Sequence, residues 1–154
     1  GVFKSDDRQG QNRHKGYVRA LQEAGIWYDP ALVVWYHTED MYTLPYEMMQ
    51  DMVHREQIDA VVAYNDRIAI DVINALEEEG LHVPDDISVT GFDDSEFAKN
   101  FKVPLTTICH PQSKIGVVAA ELLIKLMKGY SVDEDKMHII MEPELVIRNS
   151  TKKK

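Results

Sequence analysis

One unbroken stretch, residues 60–98, constrains the fold of this chain more than any other part of it. It holds two short apolar runs, 60–63 and 87–90, separated by the amphipathic pattern of a helix over 67–79. Buried strands joined by a helix are typical of a parallel sheet. Each run stops at polar residues, and ligands of open α/β sheets bind outside the carboxyl ends of the strands. The stretch therefore predicts a fold class and the edge of the sheet where a site would lie.

The same alternation continues along the rest of the chain. Strand candidates lie at 1–4, 32–36, 105–108 and 139–147, the last interrupted by Pro143, which suggests a strand edge or a crossing between sheets. Helical patterns end near Ala24 and cover 46–55 and 111–128. The apolar stripe of helix 46–55 (Met48, Met49, Met52 and Val53) is typical of core or of a subunit interface. The pattern as a whole predicts a doubly wound, Rossmann-like parallel α/β sheet.

Composition excludes several classes of protein. The chain has 154 residues, of which 44% are hydrophobic, so it can bury a core of ordinary size. Its net charge of -9 argues against direct contact with a nucleic-acid backbone, and the closing lysines 152–154 are expected to be a solvated tail. The single cysteine excludes an internal disulfide. No apolar run approaches the roughly 20 residues needed to span a membrane.

Three polar side chains fall where strands would deliver them to the same edge. Asn65 follows the run 60–63, Asp93 follows the run 87–90, and Arg13 lies early in the helix after the opening strand. Asn donates and accepts hydrogen bonds, Asp accepts, and Arg donates in a fixed fork. Vicinal hydroxyls of a sugar both donate and accept. The trio therefore predicts a sugar site.

Simpler interpretations compete with this one. Asp85 and Asp86 are expected to be turn residues, Asn65 could serve only as a helix cap, and Asp66 is expected to be one. Cys109 has no evident base partner, and the six histidines lack metal-ligand spacing. No phosphate-binding loop or dinucleotide fingerprint is present. We therefore expect no catalytic residue, no metal and no cofactor.

The motifs together resemble one family, the sugar-responsive bacterial repressors of the lactose/galactose repressor type. The resemblance rests on R-x-x-G-Y over 13–17, A-Y-N-D over 63–66, V-P-D-D-I-S-V-T-G-F-D-D over 83–94, L-T-T-I over 105–108 and P-E-L-V-I-R-N-S over 143–150. The segments F-K-S-D-D-R-Q-G over 3–10, C-H-P over 109–111 and M-E-P-E-L-V-I-R over 141–148 are similar to arabinose-responsive members, which carry a GntR-type winged-helix headpiece. The chain has no initiator Met and opens on an apolar strand, so we expect it to be a piece of a longer protein.

The resemblance implies the C-terminal lobe of a type I periplasmic-binding-protein-like effector domain, with a partial N-terminal lobe. Residues 1–107 would form the C-terminal lobe, 108–143 would belong to an incomplete N-terminal lobe, and 144–154 would hold the closing strand of the C-terminal lobe and a tail. The apolar stripe of helix 111–128 would then be exposed, or covered by another copy of the chain.

The resemblance also implies a role for each matched residue. Arg13, Asn65 and Asp93 match ligand-binding positions, and His110 falls at a polar hinge position where glutamine or aspartate is commoner, although it could also simply cap the next helix. The stacking aromatic is left open among Tyr64, Trp35 and Tyr42.

The implied protein is a cytoplasmic, dimeric repressor that senses a sugar, with L-arabinose expected, and releases operator DNA when the sugar binds. DNA contact would go through a headpiece that this sequence does not contain, and no membrane partner is expected. Helix 46–55 and the segment 94–102 are the expected dimer surfaces. A sugar-binding protein of a transporter, with the same two-lobed fold, is the alternative. A third possibility is an enzyme that uses Asp93 and Asp94 with Mg²⁺, but no phosphate-binding lysine accompanies them.

Overall fold

Strands and helices alternate along the chain as the sequence predicts. The computed structural model describes residues 1–133 and 137–152, so the predicted tail residues Lys153 and Lys154 lie outside the described residues. The strands are β1 (Val2–Lys4), β2 (Val34–Tyr36), β3 (Ala60–Val62), β4 (Ser88–Phe92), β5 (Thr106–Cys109) and β6 (Glu144–Val146). The α-helices are α1 (Arg8–Glu23), α2 (Leu44–Arg55), α3 (Asp66–Glu78), α4 (Glu96–Asn100) and α5 (Gln112–Met127).

The strands form two sheets that meet at a single bridge. The first sheet pairs β1 with β2, and the second holds β3, β4, β5 and β6 in that order. A parallel bridge between Val2 and Ala63 connects β1 to the end of β3. The spatial order is therefore 2-1-3-4-5-6, and its direction of winding reverses between β1 and β3. That reversal point is where open α/β sheets bind ligands.

The predicted parallel sheet is confirmed, with one difference at its last strand. The pairs β1–β2, β3–β4 and β4–β5 are parallel, whereas β6 runs antiparallel to β5. The strand predicted over 139–147 is also shorter, because it begins only after Pro143, which has no N–H to donate to a ladder. β6 closes this end of the sheet. The proposed division of the chain into lobes stays a prediction.

The core lies between α2, α3 and the strands. Helix α3 supplies the largest apolar contribution, with Ile68, Ala69, Val72, Ile73, Ala75 and Leu76 all buried. Helix α2 packs against α3 through its methionines. Met49 and Met52 are buried in this core, and Met48 and Val53 pack against it. The methionine stripe is therefore core and not a subunit interface, because these side chains face their own chain. A dimer surface on the rest of helix 46–55 stays a prediction.

A buried carboxylate ties the start of α3 to β4 and β5. Asp66 is 1% exposed, and it accepts hydrogen bonds from the Thr107 hydroxyl (2.5 Å) and the Ser95 backbone N–H (2.7 Å). The prediction that Asp66 caps α3 is wrong, since Asn65 is the cap and Asp66 is the first helical residue. Gly91 of β4 passes so close that a Cβ there would collide with the Asp66 carboxylate.

The segment 148–150 links β4 to β5 through side-chain hydrogen bonds. Ser150 is fully buried; its hydroxyl donates to the Val89 carbonyl (2.6 Å) and accepts from the Thr106 N–H (2.8 Å). Two residues earlier, the Arg148 guanidinium pairs with Asp94 and donates to the Leu105 carbonyl. Each buried polar group here therefore has a partner, as a buried polar network requires.

Helix α5 differs from the other long helices because none of its residues is buried. Its apolar side chains are open to solvent, with Ile115 and Leu126 each 44% exposed and Leu123 58% exposed. Leu122 is half-buried. This matches the predicted exposure of the stripe over 111–128. An exposed apolar face of this size on one helix is typical of a surface that contacts another protein element.

The approach of Gly91 to Asp66 gives a first prediction. Gly91→Ala places a methyl group inside the carboxylate contact, and we expect it to lower the free energy of unfolding by roughly 1–3 kcal/mol, as overpacked cores do. Chemical denaturation measures the change. The matched control is Gly16→Ala in α1, where a Cβ meets nothing within 4 Å. The control should stabilise the chain by up to about 1 kcal/mol through helix propensity. Equal effects at the two glycines would contradict the packing argument.

The Ser150 network gives a second prediction. Ser150→Ala leaves the Val89 carbonyl and the Thr106 N–H buried without their shared partner. We expect a loss of roughly 2–6 kcal/mol in the free energy of unfolding, about 1–3 kcal/mol for each of the two orphaned groups. Alanine at the exposed Ser113 serves as control and should change stability by less than about 0.5 kcal/mol. A loss at Ser150 as small as at Ser113 would show that the backbone groups find other partners.

Candidate functional site

One cavity lies at the reversal point of the sheet, and every predicted site residue contributes to it. Its volume is about 650 Å³. It is lined by Asp7, Gln9, Asn12, Arg13, Tyr64, Asn65, Phe92, Asp93, His110, Ile115, Met141 and Pro143. The structure thus brings Arg13, Asn65, Asp93 and His110 together from four separate parts of the chain.

Arg13 is held between two aromatic rings. Its Cζ atom lies 3.7 Å from the centre of the Phe92 ring and 4.4 Å from that of Tyr64. One guanidinium nitrogen donates to the Tyr64 carbonyl oxygen, and another lies 3.8 Å from the Asp93 carboxylate. A cation between two rings gains from both quadrupoles, more so when it is partly shielded from water. The guanidinium is therefore fixed in orientation, with its remaining N–H groups available to the cavity.

Asp93 stands on a strained backbone between Arg13 and the imidazole of His110. Its φ is 112°, and that of Asp94 is 51°, a region that side-chain-bearing residues rarely adopt. The Asp93 carboxylate lies 3.8 Å from Arg13 and 3.8 Å from the His110 ring nitrogen Nδ1. Burial raises the pKa of Asp93, and the charge of Arg13 opposes this rise. Such strain at a strand end is a feature of functional sites.

The neighbouring carboxylate has a different task. Asp94 pairs with the guanidinium of Arg148, and its side chain is only 14% exposed. Lys99 lies 3.9 Å away on the other side. The charge of Asp94 is thus balanced by neighbouring cations, and this pairing holds the turn that contains Asp93. Of the two consecutive aspartates, Asp93 is the one that lines the cavity beside Arg13.

Asn65 and His110 contribute in ways that the sequence left open. The Asn65 side-chain oxygen accepts from the Ile68 N–H (3.0 Å), so the cap interpretation is correct. This leaves the amide nitrogen as the donor that could serve a ligand. The His110 side chain does not cap α5. Its Nδ1 atom is buried and has no hydrogen-bond partner among the described residues, which makes it a group in need of one.

Sequence reasoning missed several contributors to this site, among them Asp7 and Phe92. Phe92 is the last residue of β4 and Asp7 lies three residues after the end of β1, so the position at a strand end could have identified both. Of the aromatics left open for stacking, only Tyr64 lines the cavity. Trp35 packs against His14 and Phe3 instead, and Tyr42 is 68% exposed beneath Arg67.

The chemistry of this cavity is that of hydrogen bonding to a polar ligand. It combines a fixed guanidinium, a carboxylate, an amide and an imidazole, set between aromatic rings. Within residues 1–133 and 137–152, no group of His, Cys, Asp or Glu side chains is arranged to hold a metal ion. The same part of the chain has no helix that is long and apolar enough to cross a membrane.

A comparison with known proteins decides the family. The model of the periplasmic binding protein-like domain matches residues 2–151 of this chain. The chain belongs to this family. The shared fold agrees with the sheet order and with a ligand crevice at the reversal point.

The relatives of this periplasmic-binding-protein-like domain are transcriptional regulators. The chain is 44% identical over 155 residues to the arabinose metabolism transcriptional repressor of Geobacillus stearothermophilus, covering 99% of this chain and 42% of that protein. It is 37% identical over 158 residues to the repressor of the same name from Halalkalibacterium halodurans, covering 98% of this chain and 42% of that protein. It therefore spans less than half the length of these relatives.

A solved structure shows the same architecture. A sugar-binding transcriptional regulator of the LacI family from Escherichia coli, complexed with phosphate, superposes with a TM-score of 0.84 at 26% identity. The match covers 97% of this chain and 52% of that one. All three of these similar proteins are named as transcriptional repressors or regulators.

The charge of Asp93 gives a third prediction. Because its pKa is raised above 3.8 in the folded chain, the folded state binds more protons than the unfolded state just above that pH. The contribution of this group to stability therefore falls as pH rises through that interval. Asp93→Asn removes the effect and keeps a side chain that tolerates positive φ. We expect the Tm of the Asp93→Asn variant minus that of the wild type to increase between about pH 3.5 and about pH 6. A difference that stays flat or decreases would contradict the burial argument.

Proposed function

We propose that this chain is the effector-binding part of a bacterial transcriptional repressor that senses L-arabinose and releases operator DNA when the sugar binds. The observation that carries the proposal is the convergence of Arg13, Asn65, Asp93 and His110 on one cavity. The two arabinose repressors that match nearly the whole chain support the choice of sugar.

The geometry suits a small polyhydroxylated ligand. Arg13 can donate two parallel hydrogen bonds to neighbouring hydroxyl oxygens, while Asp93 can accept from the hydroxyls that face it. Because Arg13 and Asp93 are 3.8 Å apart, adjacent hydroxyls of one ring can reach both. The unpartnered Nδ1 of His110 would gain the hydrogen bond that it lacks among the described residues. Binding would thus satisfy polar groups that are now only partly paired.

The proposed mechanism is a shift between two arrangements of lobes. Residues 1–107 with 144–154 would form one wall of the sugar cleft, and the opposite wall would come from the N-terminal lobe, to which 108–143 would contribute. A sugar that contacts both walls binds only the closed arrangement, so it shifts the equilibrium by its differential affinity. In a homodimer, closure would change the spacing of the headpieces and lower affinity for operator DNA. The protein would act in the cytoplasm.

The sugar-binding protein of a transporter is the alternative that the fold would also allow. The similar proteins favour the repressor, because two relatives are named as transcriptional repressors and the similar E. coli structure is of a transcriptional regulator. The function of the full-length protein decides between them, since only the repressor binds DNA.

Thermal unfolding of the full-length protein that carries this chain gives a fourth prediction. L-Arabinose, among a panel of pentoses and hexoses, should raise the Tm by several degrees, because a ligand at about 100 times its Kd stabilises the folded state by about 2.7 kcal/mol. A response to a different sugar alone would overturn the choice of arabinose. No response to any sugar would overturn the proposed effector class.

Variants locate the binding site. Arg13→Ala and Asp93→Ala should each abolish the sugar-dependent shift in Tm, because each removes a group that contacts hydroxyls. The matched control is Arg19→Ala on the same helix, whose guanidinium is exposed and pairs with Glu23. The control should keep the full shift. If the Arg13 and Asp93 variants also keep it, the sugar binds elsewhere.

DNA binding tests the regulatory half of the proposal. Fluorescence anisotropy of an operator duplex should show tight binding without sugar and release as L-arabinose is added. The Asp93→Ala variant should bind the duplex but fail to release it. Binding that ignores L-arabinose in the wild type would remove the repressor mechanism even if the sugar binds.

A further inference from the structure

The contacts around Tyr64 reach beyond the cavity itself. Its ring lies beside Arg13, its carbonyl oxygen accepts from the same guanidinium, and its hydroxyl donates to the Asp7 carboxylate (2.7 Å). The Tyr64 ring also lies nearly perpendicular to the Tyr36 ring, with centroids 6.2 Å apart. Tyr64 is thus bound to helix α1 at two points. Its hydroxyl contacts Asp7 at the start of the helix, and its ring and carbonyl contact Arg13 in the second turn.

Asp7 is fixed well enough to act as an anchor. It accepts from the Gly10 N–H as the cap of α1, and the Lys4 ammonium lies 3.2 Å away. Burial alone would raise the pKa of Asp7, but these bonds and the one from Tyr64 outweigh burial and lower it. On the other side, burial and then the bond to Asp7 raise the pKa of Tyr64 to about 12. The hydroxyl therefore stays protonated and the carboxylate stays charged at any physiological pH.

This pair crosses the weakest seam of the sheet. Asp7 follows β1 and Tyr64 follows β3, and those two strands share only the bridge between Val2 and Ala63. The site is built across that seam, because Arg13 comes from the β1 side and Asp93 from the β4 side. Something must fix the distance between the two sides if the guanidinium is to face the carboxylate, and the Asp7–Tyr64 bond does so.

We propose that Tyr64 is a positioning residue: its ring and carbonyl hold the Arg13 guanidinium towards the cavity, and Asp7 holds Tyr64. One face of the ring is taken up by the arginine, so the role of Tyr64 is to orient Arg13 rather than to stack on the sugar. The inference deepens the proposed function, on which its ligand readout rests, while its structural readout does not depend on any ligand.

The structural readout is the nuclear magnetic resonance spectrum of the Arg13 guanidinium in this chain. In the wild type at low temperature, rotation about the Cζ–Nε bond should be slow enough to give separate signals for the terminal nitrogens. Tyr64→Leu removes the ring and should average these signals. Tyr64→Phe keeps the ring but frees it from Asp7, and should give an intermediate rate. Arg13→Lys identifies the signals by removing them.

A matched control separates this role from a general loss of packing. Tyr28→Phe also deletes a phenolic hydroxyl that contacts α1. The Tyr28 hydroxyl is hydrogen-bonded to His14 (3.0 Å), the residue next to Arg13. This variant should leave the Arg13 signals unchanged. Separate signals that persist in Tyr64→Leu would overturn the proposal, and signals in Tyr64→Phe identical to the wild type would overturn the anchoring by Asp7.

The ligand readout uses the full-length protein and L-arabinose. Tyr64→Leu should raise the Kd roughly tenfold, in line with the loss of a shielded cation–π contact. In an Arg13→Lys background the same change should raise the Kd by less than about twofold, since residues that act through one another are not additive. Equal fold-changes in both backgrounds would show a merely structural role. If the wild type binds no sugar, the proposed function fails, and the guanidinium signals still decide the role of Tyr64.

Discussion

The buried carboxylate of Asp66 is the interaction on which the arrangement of the site depends. Asp66 begins α3 four residues after the end of β3, and its carboxylate accepts from the Thr107 hydroxyl of β5 and from the N–H of Ser95 at the start of the short helix α4. The first turn of a helix favours a negative charge, which offsets part of the cost of burying it. Since Gly91 of β4 passes directly against it, this one side chain contacts both β4 and β5 and fixes them relative to the start of α3. Asp93 is held only two residues away from that glycine.

Without a ligand, the site built on this framework holds unfavourable interactions at Asp93. Asp93 is partly buried in a strained backbone, and the nearby charge of Asp66 adds to the rise in its pKa. Arg13 offsets this only at a distance of 3.8 Å. Proteins commonly accept such local cost where a ligand will supply the missing contacts. The neighbouring Asp94 also has a positive φ, but its carboxylate pairs with Arg148, whereas the carboxylate of Asp93 faces the cavity.

Much of this architecture could be predicted from the sequence, because strand ends and helix periodicity are local properties. The runs 60–63 and 87–90 located β3 and β4 to within a few residues, and their polar ends located Asn65 and Asp93. What the sequence could not show were contacts between distant segments. Asp66 reads locally as a cap, and only the approach of Thr107 and Gly91 reveals its role. The methionines of α2 satisfy either a core or an interface, and only their burial decides between them. The antiparallel direction of β6 likewise depends on where the chain returns.

The network around Ser150 bears on how the domain is made in the cell. Its hydroxyl is the shared partner of the Val89 carbonyl and the Thr106 N–H. A side chain 61 residues after Val89 thus joins β4 to β5. Residues 148–150 leave the ribosome after every strand that they tie together. Until they emerge, the nascent sheet holds unpaired polar groups at its centre and no antiparallel edge. The domain can therefore complete its folding only after this segment has emerged.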